Sequence, residues 1–316
     1  DTYQYANAYY TWIAIGAVSI IFSMVPSNIL RTEGLAVQSM AGSIIGSIVN
    51  IIFDPIFIFG LNQGAAGAAM ATVLGNIIAD IYYVYAVMKK SKRLTCSPSH
   101  MKVTGRRIRD ILMIGIPASI TNIMQTFMMV MTNNFLLLYG TDKVAAMGIA
   151  LKVNMITALV LVGFAFGGQP LVGYNYGAGE YDRVKKITHT SMGLIALVMV
   201  MGMAISCAIP QQLMGLFTTS RATMEIGGAA LRIISFGFVV SSVSVTFSGV
   251  LEGLGKGMPS LLISLARYIV VMLPVSFALS RLLQASGVWY GFAVTEYIVA
   301  VLSYYIYKFH MRDIKG

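Results

Sequence analysis

Apolar runs of roughly 20 residues follow one another along this chain, each long enough to cross a hydrocarbon core of about 30 Å as a helix. No alternating ten-residue segments of the kind that build a membrane β-barrel interrupt them. Of the 316 residues, 57% are hydrophobic and only 11% charged, against about 25% charged in a water-soluble domain. The fold class is therefore all-α, a polytopic helix bundle that passes repeatedly through the cell (inner or plasma) membrane. A net charge of +10 points to the anionic inner leaflet rather than to nucleic acid, because the basic residues lie between spans.

The pattern gives nine spans: Tyr9 to Leu30, Gly34 to Gly60, Ala65 to Met88, Asp110 to Leu138, Val144 to Gly168, Ile187 to Ile209, Ile226 to Leu251, Met258 to Leu283 and Val288 to Phe309. The longest polar stretch, Lys89 to Arg109, holds eight of the 22 Lys and Arg residues: Lys89, Lys90, Lys92, Arg93, Lys102, Arg106, Arg107 and Arg109. The positive-inside rule puts it in the cytoplasm, and counting spans from it gathers most other basic residues on the same side, with the C-terminus. Lys143, Arg221 and Arg281 fall on the opposite side. Cys96 and Cys207 then face opposite sides and cannot pair.

A sparse internal repeat accompanies the spans. Gly16 and Gly34 are matched by Gly237 and Gly255 at an offset of 221, and Gly67 by Gly291 at 224. Spans one to three then correspond to spans seven to nine, so three further spans, roughly 110 residues at a span length of about 20 to 25, are expected ahead of Asp1. An even number of spans per repeat relates two lobes by an axis along the membrane normal, a transporter architecture. Residues 1–88 are the remnant of an N-terminal lobe, 89–109 a cytoplasmic inter-lobe loop, and 110–316 a C-terminal lobe.

Three stretches carry a family likeness: GGQPLVGYNYGAGEYDRV from Gly167 to Val184, NIIFDPIFIFG from Asn50 to Gly60, and GAAGAAMAT from Gly64 to Thr72. Together they resemble the multidrug and toxic compound extrusion (MATE) family, from its fourth span to its twelfth. The resemblance implies a cation-coupled antiporter, driven by protons or sodium without a cofactor, that expels amphipathic or cationic small molecules by alternating access between two six-helix lobes. A monomer is expected. Sodium-coupled members carry a glutamate and an aspartate where Gln125 and Ser241 stand here, which favours protons. By the same resemblance Asn50, Asp54, Thr72 and Tyr9 match a polar network that protonates in the N-terminal lobe.

The residues support part of this unaided. An ionised carboxylate such as Asp54, about 9 Å inside its span, is costly unless it faces a wet cavity or a partner. Asn50 lies one turn away on the same face, and Pro55 frees a backbone carbonyl beside it. Glu296 occupies, at the 224 offset, the position of Thr72, and Arg267 on the preceding span can neutralise it. Lys152 can snorkel or join that cluster. Asp80, Arg232 and Glu252 read as structural groups near lobe interiors or cytoplasmic ends. Gly173, Gly177 and Gly179 read as hinge or turn glycines. The competing functions are a flippase for lipid-linked sugars, which needs a more cationic cavity than Lys152, Arg232 and Arg267 supply, and a fragment that does not transport. With His100, His189 and His310 all near one face and no cluster of metal ligands or nucleophiles in a span, an intramembrane enzyme is disfavoured.

Overall fold

The computed structural model describes residues 2–91 and 104–312. Lys92, Arg93, Cys96, His100 and Lys102 of the basic stretch, and Lys315, lie outside the described residues. The chain forms two compact units, Asp1–Val103 and Thr104–Gly316. The described residues contain eight helices long and apolar enough to span a membrane, and a bent helix pair provides a ninth. Many large apolar side chains point outward, as expected where the solvent is lipid.

The first unit is three helices: α1 (Thr2–Thr32), α2 (Ala36–Pro55) and α3 (Gly64–Lys90). The first begins seven residues before the expected Tyr9. It stops in a Schellman turn, with the Leu35 amide donating to the Leu30 carbonyl at 2.9 Å, that of Gly34 to Arg31 at 3.1 Å, and Gly34 at φ +84°. Helix α2 continues past Pro55 as a π-helical segment, Ile56–Gly60. Proline has no amide proton to give the carbonyl four residues back, so the ladder changes register at Asp54 and Pro55. Small residues set how closely α2 and α3 approach. A Cβ on Gly75 would sit 2.6 Å from the Gly46 carbonyl oxygen, and one on Gly67 2.7 Å from the Phe57 carbonyl carbon. Backbone thus meets backbone, in the manner of small-residue interfaces within membranes.

The second unit holds α4 (Gly105–Leu137), α5 (Thr141–Gly177), α6 (Tyr181–Ala208), the short α7 (Pro210–Gly215), α8 (Arg221–Ser235), α9 (Phe238–Gly253), α10 (Gly257–Leu265), α11 (Met272–Leu283) and α12 (Ala285–Arg312). Leu136, Met147, Ile195, Met214, Leu231 and Val288 form the centre of its core. Helices α10 and α11 are joined by a π-helical segment, Ala266–Val271, so the expected span Met258 to Leu283 is one element with a widened middle. Gly287 and Gly291 let α12 close on α11: a Cβ at either would overlap the Leu279 carbonyl oxygen or Ser276 Oγ, respectively.

Three expectations change. The span Ile226 to Leu251 is two helices, α8 and α9, bent by 53°, with the break at Gly237 pressed against Ala293 and Glu296. The signature Gly167 to Val184 is helical rather than a loop after a span. Helix α5 runs through Gly173, whose missing side chain admits the Gly253 carbonyl, to Gly177, and only Gly179, at φ +76°, is a turn glycine. Lastly, Gly105–Arg109 is the first turn of α4 and Lys89 and Lys90 the last of α3, which shortens the polar connection.

The repeat is visible as repeated chemistry. At the offset of 221 from the first turn, the Lys256 amide donates to Leu251 at 2.8 Å and that of Gly255 to Glu252 at 2.9 Å, with Gly255 at φ +75°. Ser27 and Ser39 share a hydrogen bond of 2.9 Å, and their counterparts Ser248 and Ser260 share one of 2.6 Å. Arg31 Nε donates to Ser39 Oγ at 3.0 Å, whereas in the second unit Ser260 Oγ donates to Glu252 Oε1 at 2.7 Å. The turn is the same and the charge beside it is reversed.

Candidate functional site: two intramembrane polar clusters

In the first unit the contact at Gly46 and Gly75 carries Asn50, one turn on from Gly46, against α3. Asn50 Nδ2 donates to Thr72 Oγ1 at 3.3 Å and to Asp54 Oδ1 at 3.5 Å. The Thr72 hydroxyl spends its own proton on the Ala68 carbonyl at 3.0 Å, which fixes Asn50 as donor. The Asp54 carboxylate therefore meets one long hydrogen bond from a neutral amide and no cation among the described residues. It is half-buried and stands where α2 becomes π-helical. Three of the residues expected to act together do meet: Asn50, Asp54 and Thr72. Tyr9 does not join them; its side chain is 42% exposed and no hydrogen bond links it to the cluster.

A polar stripe missed in the sequence continues along α3. Thr72, Asn76 and Asp80 recur every four residues, one face of a helix. Asn76 Nδ2 donates to the Thr72 carbonyl at 2.8 Å, Ser23 Oγ of α1 to Asn76 Oδ1 at 3.2 Å, and Ser19 Oγ to Asp80 Oδ2. The four-residue spacing was the available signal. Asp80 is thus held by α1 inside the unit.

In the second unit Arg267 Nη2 lies 3.3 Å from Glu296 Oε2, with the two side chains only 16% and 20% exposed. Ser244 of α9 joins them, accepting from Arg267 Nη2 and donating to Glu296 Oε2 at 3.5 Å. The expected pairing of Arg267 with Glu296 is present, and Ser244 is an addition. Lys152 is exposed and makes no contact with the pair among the described residues. Gln125 is exposed on α4, and Ser241 Oγ donates to the Phe238 carbonyl at 2.7 Å. Arg232 is not at a lobe interior: exposed, it donates through Nε to the Cys207 carbonyl at 3.3 Å, at the end of α6. Glu252 accepts from Gln169 Nε2 at 2.8 Å as well as from Ser260, tying α5 and α10 to α9 as a structural group.

An all-helical bundle with carboxylates set inside its membrane helices fits transport rather than catalysis. The MatE family model matches residues 117–278. The chain belongs to the MATE family of transporters. It is 25% identical over 313 residues to the multidrug export protein MepA of Staphylococcus saprophyticus, covering 99% of this chain and 69% of that protein. MepA of Staphylococcus haemolyticus is 26% identical over 306 residues, 97% of this chain and 67% of the relative. The backbone matches the outward-facing conformation of a multidrug resistance MATE transporter with a TM-score of 0.93 at 24% identity, over 98% of this chain and 70% of that one. A transporter from Pyrococcus furiosus, described as a MOP superfamily member whose binding pocket of reverse polarity suggests a different function, matches with a TM-score of 0.92 at 24% identity, over 98% of this chain and 70% of that one. MATE proteins are transporters and not enzymes, and this one is a multi-pass membrane protein.

Proposed function

We propose that the protein exports amphipathic or cationic small molecules in exchange for protons, as a monomer, with Asp54 as the group that binds and releases the coupling proton. The observation that carries this reading is the company Asp54 keeps. A carboxylate in a membrane helix whose partners are a neutral amide and, through it, a hydroxyl can change charge without breaking an ion pair. Asn50 and Thr72 position it, and the π-helical segment after Pro55 gives the backbone beside it a second register to adopt. In this reading residues 1–88 contribute to one lobe and 110–316 form the other. The substrate site is reached by alternating access, and the Lys and Arg bias places the C-terminus in the cytoplasm. The substrate class rests on the names of the multidrug export relatives.

The test is drug efflux from proteoliposomes carrying the transporter, under a proton gradient and with sodium replaced by choline. Gln125 and Ser241 offer no charge to sodium, so efflux should persist without it and collapse when the proton gradient is dissipated. Transport that follows sodium instead would overturn the assignment.

A further inference from the structure

The second unit contains a cavity of about 730 Å³ that neither polar cluster uses, opening between α6, α9 and α12. Its floor is aromatic: Phe247 stacks on Tyr307 with centroids 4.4 Å apart and an interplanar angle of 15°, and Tyr304 lies 6.2 Å from the same ring. Its rim is basic. Lys308 Nζ sits 5.7 Å above the Tyr304 ring. Lys185 is paired with Asp182, 3.0 Å away, whose side chain is 90% exposed and can swing clear of the rim. His189 is fixed by Nδ1 on the Lys185 carbonyl at 2.8 Å. From this rim the lining becomes apolar toward the middle of the helices, through Met192, Val243 and Val301, and Val301 is 60% exposed on the outer face of α12.

The rim lies within the first turns of α6 and the last turns of α12, the end that the positive-inside bias assigns to the inner leaflet. Cations at the mouth repel the cationic compounds of the proposed export reaction, so this is no second drug site. An anionic head with an apolar tail fits both halves: the ammonium groups meet the head, and the tail follows Val243 and Val301 toward the bilayer centre. A free anion would leave the aromatic floor and apolar wall uncovered. We propose that this cavity binds an anionic inner-leaflet glycerophospholipid, its phosphate held by Lys185 and Lys308 and one acyl chain wedged between α6, α9 and α12. A bound lipid there would brace the three helices against one another.

A Val301→Trp reporter places an indole on the cavity wall, and the same chain without it supplies the background from Trp12 and Trp289. Purified protein in mixed micelles is titrated with acyl-brominated phosphatidylglycerol or phosphatidylcholine, and quenching is followed. About 1 kcal/mol per basic residue near an anionic surface corresponds to roughly fivefold in affinity. Phosphatidylglycerol should therefore half-saturate at a concentration several-fold below phosphatidylcholine. Lys185→Gln and Lys308→Gln should each raise that concentration about fivefold, while Lys308→Arg keeps it within twofold. Millimolar inorganic phosphate should leave the quenching unchanged. Equal quenching by the two lipids, indifference to both lysine substitutions, or displacement by inorganic phosphate would each overturn the proposal, the last in favour of a soluble-anion site. Should the reporter protein misfold, native mass spectrometry of the unaltered chain and its Lys→Gln variants decides the question, through whether phosphatidylglycerol is retained preferentially and lost with the lysines.

Discussion

Among the carboxylates inside the two units, Asp54 and Glu296 each stand beside a close helix pair, but they are neutralised differently. In the first, Asp54 of α2 faces Asn50 and, through it, Thr72, with no cation in the cluster. In the second, Glu296 of α12 faces Arg267 across 3.3 Å. The repeat makes the contrast sharper. At the offsets of 221 and 224, Arg267 stands where the first unit has Gly46, Glu296 where it has Thr72, and Val275 where it has Asp54. A glycine contact that brings neutral polar groups together in one unit is replaced in the other by a buried salt bridge. A carboxylate with neutral partners has no ion pair to break when its charge changes. One locked to a guanidinium strands a buried cation when it is protonated. The first arrangement suits a proton that comes and goes, the second a fixed joint between α9, the α10 to α11 span and α12.

Replacing each carboxylate by its amide should therefore produce opposite failures. Asp54→Asn should abolish proton-driven efflux, a loss of at least about tenfold, with near-normal expression and thermal stability, because the amide keeps the shape and loses only the charge cycle. Glu296→Gln should instead cost about 3 to 5 kcal/mol of stability by leaving Arg267 buried and unpaired. Thermal unfolding in detergent reads that loss, and replacing both members, Arg267→Met with Glu296→Met, should recover most of it. If Glu296→Gln folds normally but stops transport, the two carboxylates share the coupling task and the contrast fails.

Smaller effects sharpen the same comparison. Gly75→Ala places a methyl 2.6 Å from the Gly46 carbonyl oxygen. The helices must separate, at a cost of about 1 to 3 kcal/mol, and Asn50 loses Thr72. The variant should be less stable and its efflux should need a steeper proton gradient; unchanged efflux would mean the close approach does not position the site. Thr72→Val, nearly isosteric, removes one acceptor for Asn50 and should cost about 0.5 to 1.5 kcal/mol. It should slow proton-driven efflux without abolishing it. An unchanged rate would remove Thr72 from the site.

The membrane class, the approximate spans and Asp54 were legible in the amino-acid sequence, because hydrophobic length and the rarity of acids in spans are one-dimensional signals. Asn50 followed from its four-residue spacing to Asp54, and Thr72 from the family likeness. The repeat was legible only as paired glycines. Its stronger expression, the Ser27 and Ser39 bond matched by Ser248 and Ser260, needed the turns to fold before serines twelve residues apart could meet. Other features depend on packing between helices. A run of apolar residues does not reveal the bend at Gly237, which follows from the close approach of Ala293 and Glu296, nor that α5 continues through Gly173 because Gly253 lies against it. Tyr9 and Gln125 sit at suitable places along their helices, but direction around a helix axis is set by neighbours, and theirs leave both side chains exposed. Composition and periodicity thus determined which segments enter the bilayer. Tertiary contacts decided which polar groups inside it face each other, since a hydrogen bond needs two helices to present the same level and the same face.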